Sequence, residues 1–317
     1  MSALNHYRIY DQPIACDRPL NFAPIPSSER EDHTGIWTIE ERDRPSIEGD
    51  RIHDLEDHPG GDRLEVFQSA AGQGEITYAD WHFAFDLPSH QIAYEPPENS
   101  AWALDTLLER IVLPIALLTT DRPLVALHGS ALRLPDGDTI AIIGDSGAGK
   151  STTALGLVRR GATLLADDLV LVDVERRLLL AGAPSLRLAL PQDAIPEASI
   201  SLPTPSPDPK RIFVLPDAPA SGRALPLTHL FSLGGEPHSD RDFELTQPRG
   251  GHAAALLLDQ CFAFSQADPA ADEARFRRAM RLLRTSPLTR VEFRRGANTL
   301  TQLDAIAHAL GTNAEAH

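Results

Sequence analysis

One eight-residue stretch, Gly144-Asp145-Ser146-Gly147-Ala148-Gly149-Lys150-Ser151, fits the pattern G-x-x-x-x-G-K-[ST]. In such a loop the glycines let backbone N–H groups converge on an anion, and the lysine adds a full positive charge. The hydroxyl that follows sits where it can hold Mg²⁺ between two phosphates. The loop works only between a strand and a helix, and both flanks suit it. Thr139-Ile140-Ala141-Ile142-Ile143 is apolar and β-branched, as in a buried parallel strand. Thr152 to Arg160 carries Ala154, Leu155 and Val158 at helical spacing, and Gly161 follows as a C′ glycine. Gly144 to Thr152 therefore reads as a nucleoside-triphosphate site, with Lys150 on the β- and γ-phosphates and Ser151 on Mg²⁺. A second chemical feature follows. Ala162 to Ala166 reads as a strand ending in Asp167-Asp168, and a carboxylate at a strand's carboxyl end is the Walker-B arrangement that reaches the Mg²⁺ shell.

The elements around these residues can be placed by pattern. The first hundred residues read as β-rich, with strands at His6–Tyr10, Gly35–Glu40, Glu65–Ser69, Glu75–Trp81 and Phe83–Asp86. His53-Asp54-Leu55-Glu56-Asp57-His58 has metal-capable side chains at no familiar ligand spacing and reads as a solvated loop. Ser100 is the expected N-cap of a helix carrying Leu104, Leu107, Leu108 and Ile111, which Pro114 should kink or end. Pro123 to Leu132 is strand-like and turns at Pro135-Asp136-Gly137-Asp138, so His128 should lie on a strand beside the glycine loop. Val170–Val174 and Leu178–Leu180 suggest a hairpin, and Ser185–Leu190 and Ile212–Leu215 suggest strands that carry Arg187 and follow Lys210. Those two cations are candidates for transition-state charge or acceptor binding. Pro203–Pro209 should be an extended loop, and Leu227–Leu233 the last core strand. Helices are expected at His252–Gln260, Asp272–Leu283 and Leu300–Leu310. In the second, Phe276, Ala279, Met280 and Leu283 form the buried stripe, leaving Arg277, Arg281 and Arg284 in solvent. The whole reads as an α/β protein: a β-rich part over residues 1–98, then a kinase-like domain over 99–317 with a mixed sheet flanked by helices.

Composition narrows the class. A net charge of −16 argues against nucleic acid or an anionic membrane as partner, and suits a basic peptide. No apolar run reaches membrane-spanning length, because Ile111 to Leu118 contains Pro114 and lies between Arg110 and Asp121. The start, Met1-Ser2-Ala3-Leu4-Asn5-His6, lacks a signal-peptide layout, and two cysteines, Cys16 and Cys261, cannot build a disulfide framework. A cytoplasmic protein is expected, with homo-oligomerisation left open. No N-K-x-D motif is present to indicate a GTPase. Ser232-Leu233-Gly234-Gly235-Glu236 looks like an ABC signature, but it follows the acidic pair where that class requires it to precede.

The order His128-Gly129-Ser130, the glycine loop, Arg160-Gly161 and Leu165-Ala166-Asp167-Asp168 resembles the HPr kinase/phosphorylase family over roughly Leu127 to Val174. The resemblance implies a fold related to phosphoenolpyruvate carboxykinase and a protein-serine kinase using ATP and Mg²⁺. The family's second signature, R-G-x-G, is absent after Asp168, and the first hundred residues do not look like the usual regulatory domain. The layout is more similar to divergent HPr-kinase-like proteins, among them the lasso-peptide tailoring kinases, which phosphorylate the C-terminal serine of a precursor peptide. By resemblance Asp167 is the base and Asp168 joins Ser151 at the metal, though the sequence does not separate the two carboxylates. His128 would orient or tune them. The expected acceptor is a peptide or protein serine. Alternatives are a kinase of free serine or another small hydroxyl compound, and a non-catalytic nucleotide-binding module.

Overall fold

The computed structural model describes residues 4–29, 35–42, 49–55, 63–100, 102–188, 199–202, 210–215, 222–237, 240–262, 269–294 and 299–309. The expected Pro203–Pro209 loop, Glu56–His58, Ala189-Leu190 and Leu310 lie outside them. Among the described residues the chain is a mixed α/β protein with two large mixed sheets, one small sheet and few helices.

The β-rich start is real. Among the described residues its nine strands form one sheet, with Asn5–Ile9 and Gln12–Cys16 as a hairpin near one edge and Leu64–Gln68, Gln73–Tyr78, Trp81–Asp86 and Gln91–Glu95 as an antiparallel meander. Alternation along these strands buries Ile14, Ile39, Val66, Ile76, Tyr78 and Phe83 on one core. His53 departs from the solvated-loop expectation: it is buried within the strand Asp50–Leu55.

That core is completed by a helix over residues 104–118, which contributes Leu107, Leu108, Val112 and Leu117, and by Leu124, Ala126 and Leu171 of the next sheet. Two expectations about this helix change. Ser100 is not its cap; the Ser100 hydroxyl accepts instead from Trp81 Nε1 and from the Trp102 N–H, and the helix begins after Ala103 without a side-chain cap. Pro114 does not end the helix. A π-turn over Leu108–Val112, in which the Leu113 N–H reaches back to Leu108, delivers Pro114 into the first turn of the segment that follows, where no N–H is required of it.

The second sheet has eight strands among the described residues and carries His128, the glycine loop and the acidic pair. Its centre runs from the acidic strand Thr163–Asp173 through the histidine strand Leu124–Arg133 and the loop strand Thr139–Gly144 to His229–Leu233 and Leu288–Phe293. The loop strand is fully buried, antiparallel to the histidine strand and parallel to His229–Leu233. Ile140 and Ile142 face a core shared with the helix Lys150–Val158 and the helix Thr299–Ala309. Ala141 and Ile143 face the opposite core, shared with Leu257, Ala279 and Leu282 of the helices Gly250–Leu258 and Pro269–Thr285. Leu227–Leu233 is not the last core strand. Leu288–Phe293, with its buried Val291, pairs beyond it and is followed by the edge strand Phe243–Thr246.

Phe276, expected in the buried stripe of its helix, is 47% exposed; Ala279 and Leu282 take the buried positions, which rotates the stripe along the helix. Arg277, Arg281 and Arg284 are exposed as expected. Phe231, 1% exposed, should therefore cost about 3–5 kcal/mol when changed to alanine. Phe276→Ala should stay within about 0.5 kcal/mol of wild type. Urea unfolding of both variants tests this, and comparable losses in the two would contradict the packing described.

Candidate functional site

The glycine loop leaves the loop strand at Gly144, whose φ of 147° lies outside the range of other residues, and a Cβ there would stand 2.3 Å from the Leu233 carbonyl oxygen. Gly149 then caps the helix Lys150–Val158 in a left-handed conformation, so the helix N-terminus opens onto the loop. The buried Lys150 folds over it, donating to the carbonyls of Gly144 at 2.6 Å and Asp145 at 2.9 Å. Burial pushes its ammonium pKa down, against the pull of Asp168 and Asp167. Asp145 is held from outside the loop by Gln260 Nε2 at 3.0 Å, and the Ala148 N–H closes the turn onto Asp145. A small cavity of about 190 Å³ lies over Gly147, Gly149, Lys150, Ser151 and Thr152.

Asp167-Asp168 does not end a strand. It lies inside the acidic strand, which continues through Val170–Asp173 into the hairpin with Leu178–Leu180. The strand is antiparallel to its histidine-strand neighbour, so the rule for parallel strand ends does not apply. Two features bring both carboxylates to one place. The ladder sets Ser130 opposite Asp167 and Gly129 opposite Asp168. Asp168 also takes a φ of 75°, which breaks the strict alternation that would send consecutive side chains to opposite faces.

The two carboxylates differ in surroundings. Asp167 is 2% exposed: its Oδ1 accepts from Ser130 Oγ at 2.5 Å and Ser151 Oγ at 2.9 Å, and its Oδ2 from the Arg187 N–H at 3.0 Å. Burial pushes its pKa up, opposed chiefly by the Arg187 N–H and the Ser130 hydroxyl. Asp168 is more open and lies among two guanidinium groups and an imidazole: Arg110 Nη1 at 2.7 Å, Arg187 Nη1 at 3.5 Å and His128 Nδ1 at 3.4 Å. Burial would raise its pKa, but Arg110, then His128, Arg187 and Lys210, outweigh burial and hold it at about 2. His128 Nδ1 lies 3.0 Å from the Asp168 carbonyl oxygen, which can only accept, so the tautomer that makes this bond carries its proton on Nδ1.

The residues singled out in the sequence meet here. His128, Ser146, Asp168, Arg187 and Lys210 line the loop cavity and also a second, larger cavity of about 510 Å³ beside it. Sequence reasoning missed Arg110, which comes from the π-turn 58 residues upstream of Asp168. It also missed Glu109 and Ser185, and it gave Ser130 no role beyond its place in the His128-Gly129-Ser130 run; all three hold the others in place. Glu109 is buried, accepts from Ser185 Oγ at 2.9 Å and from the Ala183 N–H, while Arg110 Nη2 donates to that same Ser185 hydroxyl at 3.3 Å. Among the described residues no group of three or more His, Cys, Asp or Glu side chains could hold a metal ion. A hard cation could take Ser151 Oγ and Asp167 Oδ1 as protein oxygens, with phosphate and water completing its shell.

Residues 123–189, which include the histidine strand, the loop and the acidic pair, match the family model of the HPr Serine kinase C-terminal domain. Over these residues the chain is HPr-kinase-like. It is 40% identical over 114 residues to an HPr kinase/phosphorylase of Treponema pallidum (strain Nichols), covering 31% of this chain and 35% of that protein. It is 31% identical over 107 residues to an HPr kinase/phosphorylase of Clostridium botulinum (strain Eklund 17B / Type B), covering 32% and 35%. The chain thus spans about a third of the length of the curated relatives it matches. Among solved structures it is similar to the Hpr(Ser) kinase/phosphatase from Coxiella burnetii, with a TM-score of 0.29 and 15% identity over 59% of this chain and 97% of that one. No helix among the described residues is long and apolar enough to cross a membrane.

Burial raises the Glu109 carboxyl to about 7, with Arg110 and Ser185 pulling the other way. The folded protein therefore holds a proton between the ordinary carboxylate pKa and about 7 that the unfolded chain has released. Glu109 thus stabilises the fold fully at low pH, and that contribution is lost as pH rises through about 7. Glu109→Gln should flatten the fall in stability between about pH 4.5 and 7. Urea midpoints across that range would reveal it, and an unchanged slope would contradict the assignment.

Proposed function

We propose that this chain is an ATP-dependent serine kinase of the HPr-kinase type, acting on a serine hydroxyl of a peptide or protein. The observation that carries the reading is the meeting of loop, acidic pair and cations at the junction of two cavities, one over the glycine loop and one open to an acceptor. The match over residues 123–189 supports it. The likeness to lasso-peptide tailoring kinases makes a ribosomally made precursor peptide our preferred acceptor. In this reading residues 99–317 form the kinase domain, and residues 1–98 form an added part that helps to wall the acceptor side.

The roles follow from the surroundings of each group. The loop N–H groups and Lys150 bind the β- and γ-phosphates in an electrostatic cradle. Ser151 and Asp167, in contact with each other, are the protein oxygens for Mg²⁺, which when bound would neutralise phosphate charge. Asp168 faces the cavity and is ionised, so we give it, rather than Asp167, the acceptor hydroxyl. The serine oxygen forms a bond to the γ-phosphorus as the bridge to the β-phosphate breaks, ADP leaves, and the hydroxyl proton passes to the Asp168 carboxylate. A carboxylate held at about 2 is a weak base, but a loose transition state needs orientation more than early proton removal. His128 orients Asp168, and Arg187 and Lys210 offset charge on the transferring group.

The test is transfer from γ-labelled ATP with Mg²⁺ to a serine peptide, read by mass. Asp168→Asn should lower kcat by about 10²-fold or more with ATP affinity retained. Asp167→Asn should chiefly weaken Mg²⁺-dependent ATP binding. The opposite split would return the base to Asp167.

A further inference from the structure

The larger cavity is poorly suited to a lone serine side chain. At about 510 Å³ it falls in the range of pockets that enclose small molecules, roughly 300–1,000 Å³. Asp168, with His128, Arg110, Arg187 and Lys210 about it, forms the polar part of the lining; Thr106 and Ser146 add hydroxyls, and the remaining wall is apolar and aromatic. Leu64 and Tyr78 come from the first sheet, Leu107, Ile111 and Ile115 from the helix over residues 104–118, and Trp102 from the segment before that helix. Tyr78 and Trp102 meet edge to face at 5.6 Å, so this aromatic wall is packed in advance. The mouth is exposed at Ser146, Lys210 and Phe262. The cavity shares His128, Ser146, Asp168, Arg187 and Lys210 with the one over the glycine loop, so it adjoins the phosphate side, and its apolar lining lies beyond those residues.

We infer that this chain selects a serine that is next to a bulky apolar residue, whose side chain fills the apolar end of the cavity while the hydroxyl stays at Asp168. The inference rests on the peptide-serine-kinase reading and adds the class of acceptor. Free serine leaves the apolar end unfilled. A serine flanked by glycine or charged residues gains nothing there, and a charge would be buried among Leu107, Ile111 and Ile115. The first sheet then has a functional part: it supplies one wall of the specificity pocket.

The experiment measures binding apart from chemistry. Acetyl-Ser-Trp-amide, acetyl-Ser-Leu-amide, acetyl-Ser-Gly-amide and free serine are each titrated calorimetrically into the full chain with Mg²⁺ and a non-hydrolysable ATP analogue. The Trp and Leu peptides should bind at least about tenfold tighter than the Gly peptide, the ratio expected for burying one large apolar side chain. Ile111→Trp, which fills the cavity, should abolish that preference and leave binding of the ATP analogue unchanged. Equal affinities across the series, or a preference that survives Ile111→Trp in a folded variant, would overturn the inference. The same peptides assayed with ATP separate the two readings. Apolar preference without transfer sinks the kinase reading and leaves the pocket, whereas transfer without preference sinks the pocket and leaves the kinase.

Discussion

The site depends on the register of one antiparallel ladder. Leu124–Arg133 pairs with Thr163–Asp173 so that Ser130 faces Asp167 and Gly129 faces Asp168. A slip of one residue would turn every side chain of one strand to the other face and separate the acidic pair from Ser151 and His128. Close packing holds the register from the far side as well. A Cβ at Gly129 would stand 2.6 Å from the Ile142 carbonyl oxygen, so only glycine lets the histidine strand lie this near the loop strand. The ladder shifts register between Ala131 and Leu132, and beyond that irregularity the pairing continues to Arg133 and Thr163.

On this ladder the two carboxylates become different groups. Asp167 loses water, and that burial outweighs the hydroxyl and N–H donors that favour its ionised form, so its proton is bound more tightly than in solution. Asp168 keeps partial access to water and gains guanidinium groups, so its proton is lost near pH 2. Two neighbours in sequence thus sit on opposite sides of the ordinary carboxylate range, the separation by which one site can divide two tasks. The pair is tied to the first sheet through the helix over residues 104–118. Arg110 reaches Asp168, the adjacent Glu109 holds Ser185, and the Tyr10 hydroxyl donates to the Glu109 carbonyl. The β-rich part is therefore built into the site's surroundings.

What is legible in the sequence follows from the range of the interactions involved. The glycine loop is local: its residues, its buried strand and its helix lie within Thr139 to Gly161, so pattern alone locates them. His128, Arg187 and Lys210 can be found because each lies on or beside a readable strand near the loop. Arg110 cannot, because an arginine on an amphipathic helix ordinarily faces solvent; the π-turn and the carboxylate 58 residues away that draw it inward leave no local pattern. The acidic pair reads as a strand end because two adjacent carboxylates seldom continue a buried strand. Here cations and hydroxyls satisfy them and Asp168 adopts a left-handed backbone. Leu288–Phe293 escapes notice because Thr289, Arg290 and Glu292 break its apolar run, although Arg290 and Glu292 pair with each other at 2.9 Å. Phe276 shows the converse: an apolar residue at correct helical spacing that tertiary packing leaves in solvent.

The central claim is that the loop, Lys150 and the Ser151–Asp167 contact form a metal-dependent nucleotide site. Calorimetric titration of the full chain with ATP, in the presence and absence of Mg²⁺, tests it most directly when repeated on Lys150→Ala. The account predicts ATP binding that strengthens with Mg²⁺ in the wild type and weakens by at least about tenfold in the variant, the loss of one charge-assisted phosphate contact. ATP affinity that is indifferent to both Mg²⁺ and Lys150, or no binding by the folded wild-type chain, would contradict it.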